Sequence, residues 1–130
     1  MKDFLLYIWQ LPQNIVGILV LKYHEIFCKH RVDVVTNSDG VTYYIVKHLN
    51  DCGISLGKYI IFDFDTFIRY ADVNHEAGHQ KQSLYLGWLY LLVIGLPSAI
   101  GNIIYRFHKF EYYKQPWEAW ADKLGGVKRY

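Results

Sequence analysis

Little in this chain points to charge-driven or redox chemistry. Its 14 lysines and arginines stand against 12 aspartates and glutamates, too even a balance for a broad nucleic-acid footprint, so no nucleic-acid partner is expected. Cysteine is scarce: Cys28 and Cys52 are the whole complement, and neither belongs to a CxxC pair. They are two buried thiols or one disulfide. The first apolar run lacks the small-residue cleavage site of a secretory signal, which favours thiols. No internal repeat, low-complexity tract or phosphate-binding loop is present. With 130 residues, the chain 1–130 reads as a single domain.

What is abundant is apolar surface, at 52% of residues, and it is concentrated in two segments. The first, 4–21, is interrupted by Gln10, Pro12, Gln13 and Asn14 and reads as two short amphipathic pieces around a proline kink. The second, 84–104, carries no charged residue, yet Gly87, Gly95, Pro97 and Gly101 break it. Its length suits a bilayer span, or a kinked unit that dips into a membrane or is buried in protein. The chain is accordingly expected to be membrane-associated or cytoplasmic. Lys and Arg flank both sides, so no orientation follows.

Residues 31–64 carry strand periodicity. Val32 and Val34, then Val41, Tyr43 and Ile45, surround Asn37-Ser38-Asp39-Gly40 and predict a hairpin. The run from Lys58 to Phe64 suits a third strand buried on both faces, and a small antiparallel sheet is expected. Asp63 and Asp65 at its end read as a solvated strand terminus leading to a helix capped by Thr66. Phe67, Ala71, His75 and His79 then recur every four residues, placing one stripe on a helix over 66–82. Pro116 and Gly125-Gly126 bound a short last helix over 116–124.

On the first of these helices lies His75-Glu76-Ala77-Gly78-His79, an HExxH motif. A spacing of four sets two imidazoles one turn apart on one face, where both reach a single zinc ion. Glu76 projects about 100° around the helix from His75, toward a water rather than the metal, which is the general-base position. The small Ala77 and Gly78 allow another element to pack close. Histidines on a plain amphipathic helix are the bland alternative, and His24, His30 and His48 read as structural or exposed. A catalytic zinc needs a third protein ligand. Downstream, Glu118 and Asp122 lie four apart on one face of the last helix.

HExxH followed by a helix bearing ExxxD resembles the gluzincin peptidases, in particular the membrane-anchored heat-shock and CaaX-processing type. The apolar interval and the closing Trp120-Ala121-Asp122-Lys123-Leu124-Gly125-Gly126 also resemble a group of small bacterial HExxH proteins. The likeness covers roughly residues 55 to 127. It implies a minimal zincin-like α+β domain, with zinc as cofactor, Glu118 as third ligand, and Asp122 accepting a hydrogen bond that fixes a motif histidine's tautomer. The implied activity is metallopeptidase hydrolysis of a peptide or protein substrate, Glu76 moving the proton and the substrate lying along Lys58 to Phe64. His108, Tyr112 and Tyr113 are candidates for an oxyanion donor. Two other readings use the same residues: a zinc-stabilised protein without catalysis, and a small membrane or interaction protein.

Overall fold

The computed structural model describes residues 1–27, 32–38, 40–46, 53–63, 70–109 and 111–128. Cys28, Cys52, His30, His48, Asp65, Thr66 and Phe67 lie outside the described residues, as does the side chain of Asp63.

The chain is α+β. Helices α1 (Lys2–Trp9) and α2 (Leu11–Ile26) meet at an 84° bend, where Pro12 sits in the first turn of α2 and needs no hydrogen-bonded N–H. Strands β1 (Asp33–Thr36) and β2 (Thr42–Val46) form the expected hairpin, Thr36 facing Thr42. Asn37 closes it twice, its carbonyl accepting from Gly40 N–H and its side-chain oxygen from Val41 N–H, and Gly40 takes the left-handed conformation at φ +81.

Two expectations about the sheet fail. Gly53–Leu56 is a further strand, β3, joined to β4 (Tyr59–Asp63) by a two-residue turn at Gly57 and Lys58, so among the described residues the sheet has four strands in the order β1-β2-β4-β3. The sheet is also mixed rather than antiparallel, because β3 takes the edge and leaves β4 to return beside β2 in parallel. Between β2 and β3, β4 has no free edge for an extended substrate laid along the run Lys58 to Phe64; among the described residues the outer strands are β1 and β3.

β4 is buried on both faces, as its unbroken apolar run predicts. Ile61 packs with Leu21 of α2 and Val46, while Ile60 and Phe62 pack with Val73 of the next helix on the opposite face. That helix, α3 (Tyr70–Leu86), carries the HExxH residues. Its partner α5 (Pro116–Gly125) ends on Gly126 at φ +73, a left-handed cap. The apolar interval joining α3 to α5 is broken. A 3-10 turn at Gly87–Leu89, a π turn at Leu91–Gly95 and helix α4 (Leu96–Phe107) follow one another through a 119° bend. Among the described residues no single helix is long and apolar enough to cross a membrane.

α3 and α5 touch backbone to backbone. A Cβ at Gly78 would lie 1.9 Å from the Ala121 carbonyl oxygen, and one at Gly125 would lie 1.9 Å from the Asn74 carbonyl oxygen. Neither clash can be relieved by a rotamer change, since the obstacle is main chain. Gly78→Ala is therefore expected to force the helices apart, costing about 1–3 kcal/mol in chemical denaturation. Metal uptake should be lost with it; wild-type uptake in a folded Gly78→Ala protein would show that the close approach is unnecessary.

Candidate metal centre

The glycine contact sets α5 against the HExxH turn of α3, and three donor atoms converge between them. His75 Nε2 lies 3.0 Å and His79 Nε2 3.1 Å from the same oxygen, Glu118 Oε2. The three residues are buried, Glu118 completely, and their ligand atoms all fall within 4.8 Å of one another. Tetrahedral bonds of about 2.0–2.1 Å separate ligand atoms by about 3.3 Å, so the group fits a metal ion with little adjustment.

Proton placement makes the fit more than geometric. His75 Nδ1 is 2.7 Å from Asp122 Oδ1, an acceptor, so Nδ1 carries the proton. His79 Nδ1 is 2.6 Å from Gln82 Oε1, and the orientation of that amide is fixed because Gln82 Nε2 donates to the Trp117 carbonyl at 2.8 Å. Both neutral rings therefore aim an Nε2 lone pair at a carboxylate oxygen. Three lone pairs facing one another repel unless a cation lies among them, either a metal or a proton.

Without metal the proton takes that role. Burial pulls the His75 pKa down, but its hydrogen bond to Glu118 and the negative charges of Glu76 and Glu118 prevail, and it rises to about 9. Burial likewise opposes and Glu118 and Glu76 reverse the trend at His79, whose pKa is raised. Burial acts to raise Glu118, yet hydrogen bonds from both histidines hold it well below the usual carboxylate range.

The other Glu118 oxygen is spoken for. Oε1 accepts from the Ser98 hydroxyl of α4 and, at 2.9 Å, from Tyr112, which follows α4 on the 3-10 turn Tyr112–Lys114. The carboxylate is thus held to present one oxygen inward. Tyr113 packs its ring edge-on to His75 at 5.2 Å between centroids, while His108 lies exposed just past the end of α4. His24 is structural as expected, its Nδ1 2.8 Å from the Val20 carbonyl oxygen.

Glu76 is buried beside this group with a different fate. Its Oε2 has no hydrogen-bond partner among the described residues, and its Oε1 lies close to Gly53 at the start of β3, where a Cβ would stand 3.3 Å away. Burial pushes the Glu76 carboxyl up against the pull of the His79 and His75 charges. Gln82 and Ser98 are the two residues of the site that motif reasoning passes over. Gln82 lies one turn beyond His79 on the same face and so was visible in the spacing, whereas nothing in the sequence marks Ser98 among the small residues of the apolar interval.

Two outcomes follow. Asp122→Ala frees the His75 ring and is expected to weaken divalent-metal affinity about 10- to 100-fold in competition with a chromogenic chelator. The second concerns pH. A histidine raised from 6.5 to about 9 stabilises the metal-free fold fully below pH 6.5 and loses that contribution as pH rises through 9. Glu118, lowered from 4.5, stabilises above pH 4.5 and loses its contribution as pH falls. In chelator the Tm should therefore decline from pH 6.5 to 9.5, whereas metal, favoured as protons leave, should abolish the decline; parallel curves would refute this linkage. The chain matches no protein-family model, no curated protein and no solved structure, so the reading of this centre rests on its own residues.

Proposed function

We propose that the chain is a zinc-dependent hydrolase of the gluzincin type, a minimal zincin-like domain that cleaves peptide bonds. The observation that carries the reading is the pairing of two unlike carboxylates. Glu118 is tied down at both oxygens and points between two imidazoles, whereas Glu76 is buried beside them with an oxygen left unpartnered. A purely structural metal site has no use for that second carboxylate, since a buried carboxylate oxygen without a partner costs stability.

Two imidazoles and a single carboxylate oxygen are the donor set that suits zinc with a position left open. Zinc bound there supplies Lewis acidity, making a water a stronger nucleophile and polarising a carbonyl. The remaining work falls to the chain. Asp122 and Gln82 keep both histidines in the tautomer that offers Nε2. Glu76 takes one proton from the attacking water as oxygen bonds to the carbonyl carbon, then delivers it to the amine nitrogen as the carbon–nitrogen bond breaks, so one water is consumed per bond. Tyr113, half-buried with its ring against His75, is assigned as the donor to the oxyanion. An extended substrate is assigned to the Gly53 end of β3, which adjoins Glu76; further along, the Ser55 carbonyl already accepts from the Tyr90 hydroxyl.

Glu76→Gln preserves shape and removes the base. It is expected to retain stoichiometric zinc while hydrolysis of a casein or fluorogenic peptide mixture falls at least about a hundredfold. Equal cleavage by wild type and variant would remove Glu76 from the chemistry. Stoichiometric zinc with no cleavage by either would favour a zinc-stabilised fold.

A further inference from the structure

Around the two bends the helices turn apolar side chains outward and polar ones inward, although α2 also turns Leu21 to the core and carries an exposed ion pair, Lys22–Glu25, toward its end. α2 exposes Ile15, Leu19, Tyr23 and Ile26, one stripe at helical spacing, while Gln13 and Asn14 on its inner side are completely buried. α4 does the same. Leu96, Ile100, Ile103 and Phe107 face outward, and Ser98, Gly101 and Asn102 face inward. In a helix covering a core the two faces would be exchanged.

The amides inside are not idle. Gln13 Nε2 donates to Ser83 Oγ at 2.7 Å and to the Gly87 carbonyl at 2.9 Å, and Ser83 Oγ donates to Gln10 Oε1 at 2.6 Å. The bends themselves interlock. Trp9 fills the space over Gly87, where a Cβ would lie 2.4 Å from its ring, and donates its indole N–H to the Leu84 carbonyl at 2.7 Å. Trp88 reciprocates, donating to the Ile8 carbonyl at 2.8 Å, and Asn14 Nδ2 donates to the Tyr7 carbonyl at 2.9 Å. Carbonyls at both bends thus take their donors from side chains of the chain itself, and two indoles, 48% and 59% exposed, present rings whose N–H is already used.

A bend facing water needs none of this, because water supplies donors without constraint. Irregular backbone at membrane depth requires it. Length excludes a simple span: at 1.5 Å per residue α2 reaches about 24 Å and α4 about 18 Å, short of the roughly 30 Å of hydrocarbon. From these observations, and independently of any catalytic reading, we propose that the interlocked bends and the outward faces of α2 and α4 seat in one leaflet of a phospholipid bilayer. The occupant of the apolar face is acyl chain, and the attachment is monotopic rather than spanning.

The test is flotation of the full chain with phosphatidylcholine vesicles, with and without phosphatidylglycerol, at low and high salt. Binding to both, resistant to salt, is expected. Leu19→Glu with Ile103→Glu should lower partitioning about a hundredfold, the loss of two leucine-sized apolar contacts. Metal uptake should survive, since both side chains are exposed. As a measurement needing no variant, lipids brominated at shallow acyl positions should quench the tryptophan emission of the unaltered chain more than lipids brominated near the chain ends. Failure to float or to be quenched would overturn the proposal. So would binding confined to anionic vesicles and abolished by salt, or a dimer that Leu19→Glu dissociates in a chain that ignores vesicles.

Discussion

A single carboxylate oxygen, Glu118 Oε2, lies 3.0 and 3.1 Å from two imidazole nitrogens whose rings carry their protons on the opposite side. That arrangement is repulsive unless a proton or a metal ion lies among the three atoms, and much of the surrounding structure supports it. Asp122 and Gln82 hold the protons away from the centre, while Ser98 and Tyr112 satisfy the other carboxylate oxygen so that Glu118 can stay buried and ionised. Removing any one of these supports leaves either a rotated ring or an unpaired buried acceptor, which is costly in the interior.

The enforcement reaches the backbone through Gly78 and Gly125. Two helices with ordinary side chains at their crossing pack 8–10 Å apart, whereas α3 and α5 come closer, which brings Glu118 and Asp122 up to the two histidines. Glycine at both crossing points allows main chain to touch main chain, at the cost of helix propensity in the middle of α3. The sheet supplies the opposite wall. Phe62 and Val73 fix α3 against β4, and Gly53 leaves room for both the Phe62 ring and the Glu76 carboxylate.

What was legible in the sequence was whatever depends on local spacing. The HExxH stripe, the Asn37 to Gly40 turn, the two-sided burial of β4 and the Pro116 to Gly125 helix all follow from periodicities and end signals. The small residue at 78 correctly announced a close neighbour. Strand β3 was illegible because four residues containing Ser55 carry too little alternation to register, and with it went the parallel pairing of β2 and β4, which is a property of topology rather than of any strand. Gln82 could have been found, since it shares a face with His79. Ser98 could not, because its partner is distant in the chain and a serine in an apolar run has no motif.

The same residue joins the two halves of the molecule. α4 carries on its outward side the apolar residues Ile100 and Ile103, and on its inward side the hydroxyl that holds Glu118. Tyr112 repeats the connection, since its hydroxyl lies near both Glu118 Oε1 and the Ser98 carbonyl. A helix that only covered the candidate metal centre would need no apolar exterior, and one that only sought an apolar environment would need no hydroxyl on the Glu118 carboxylate. Because both demands fall on twelve residues of one rigid element, the position of α4 and the direction of the Glu118 lone pair cannot vary independently. Whatever positions the backbone of α4 also positions the hydroxyl that holds Glu118 Oε1.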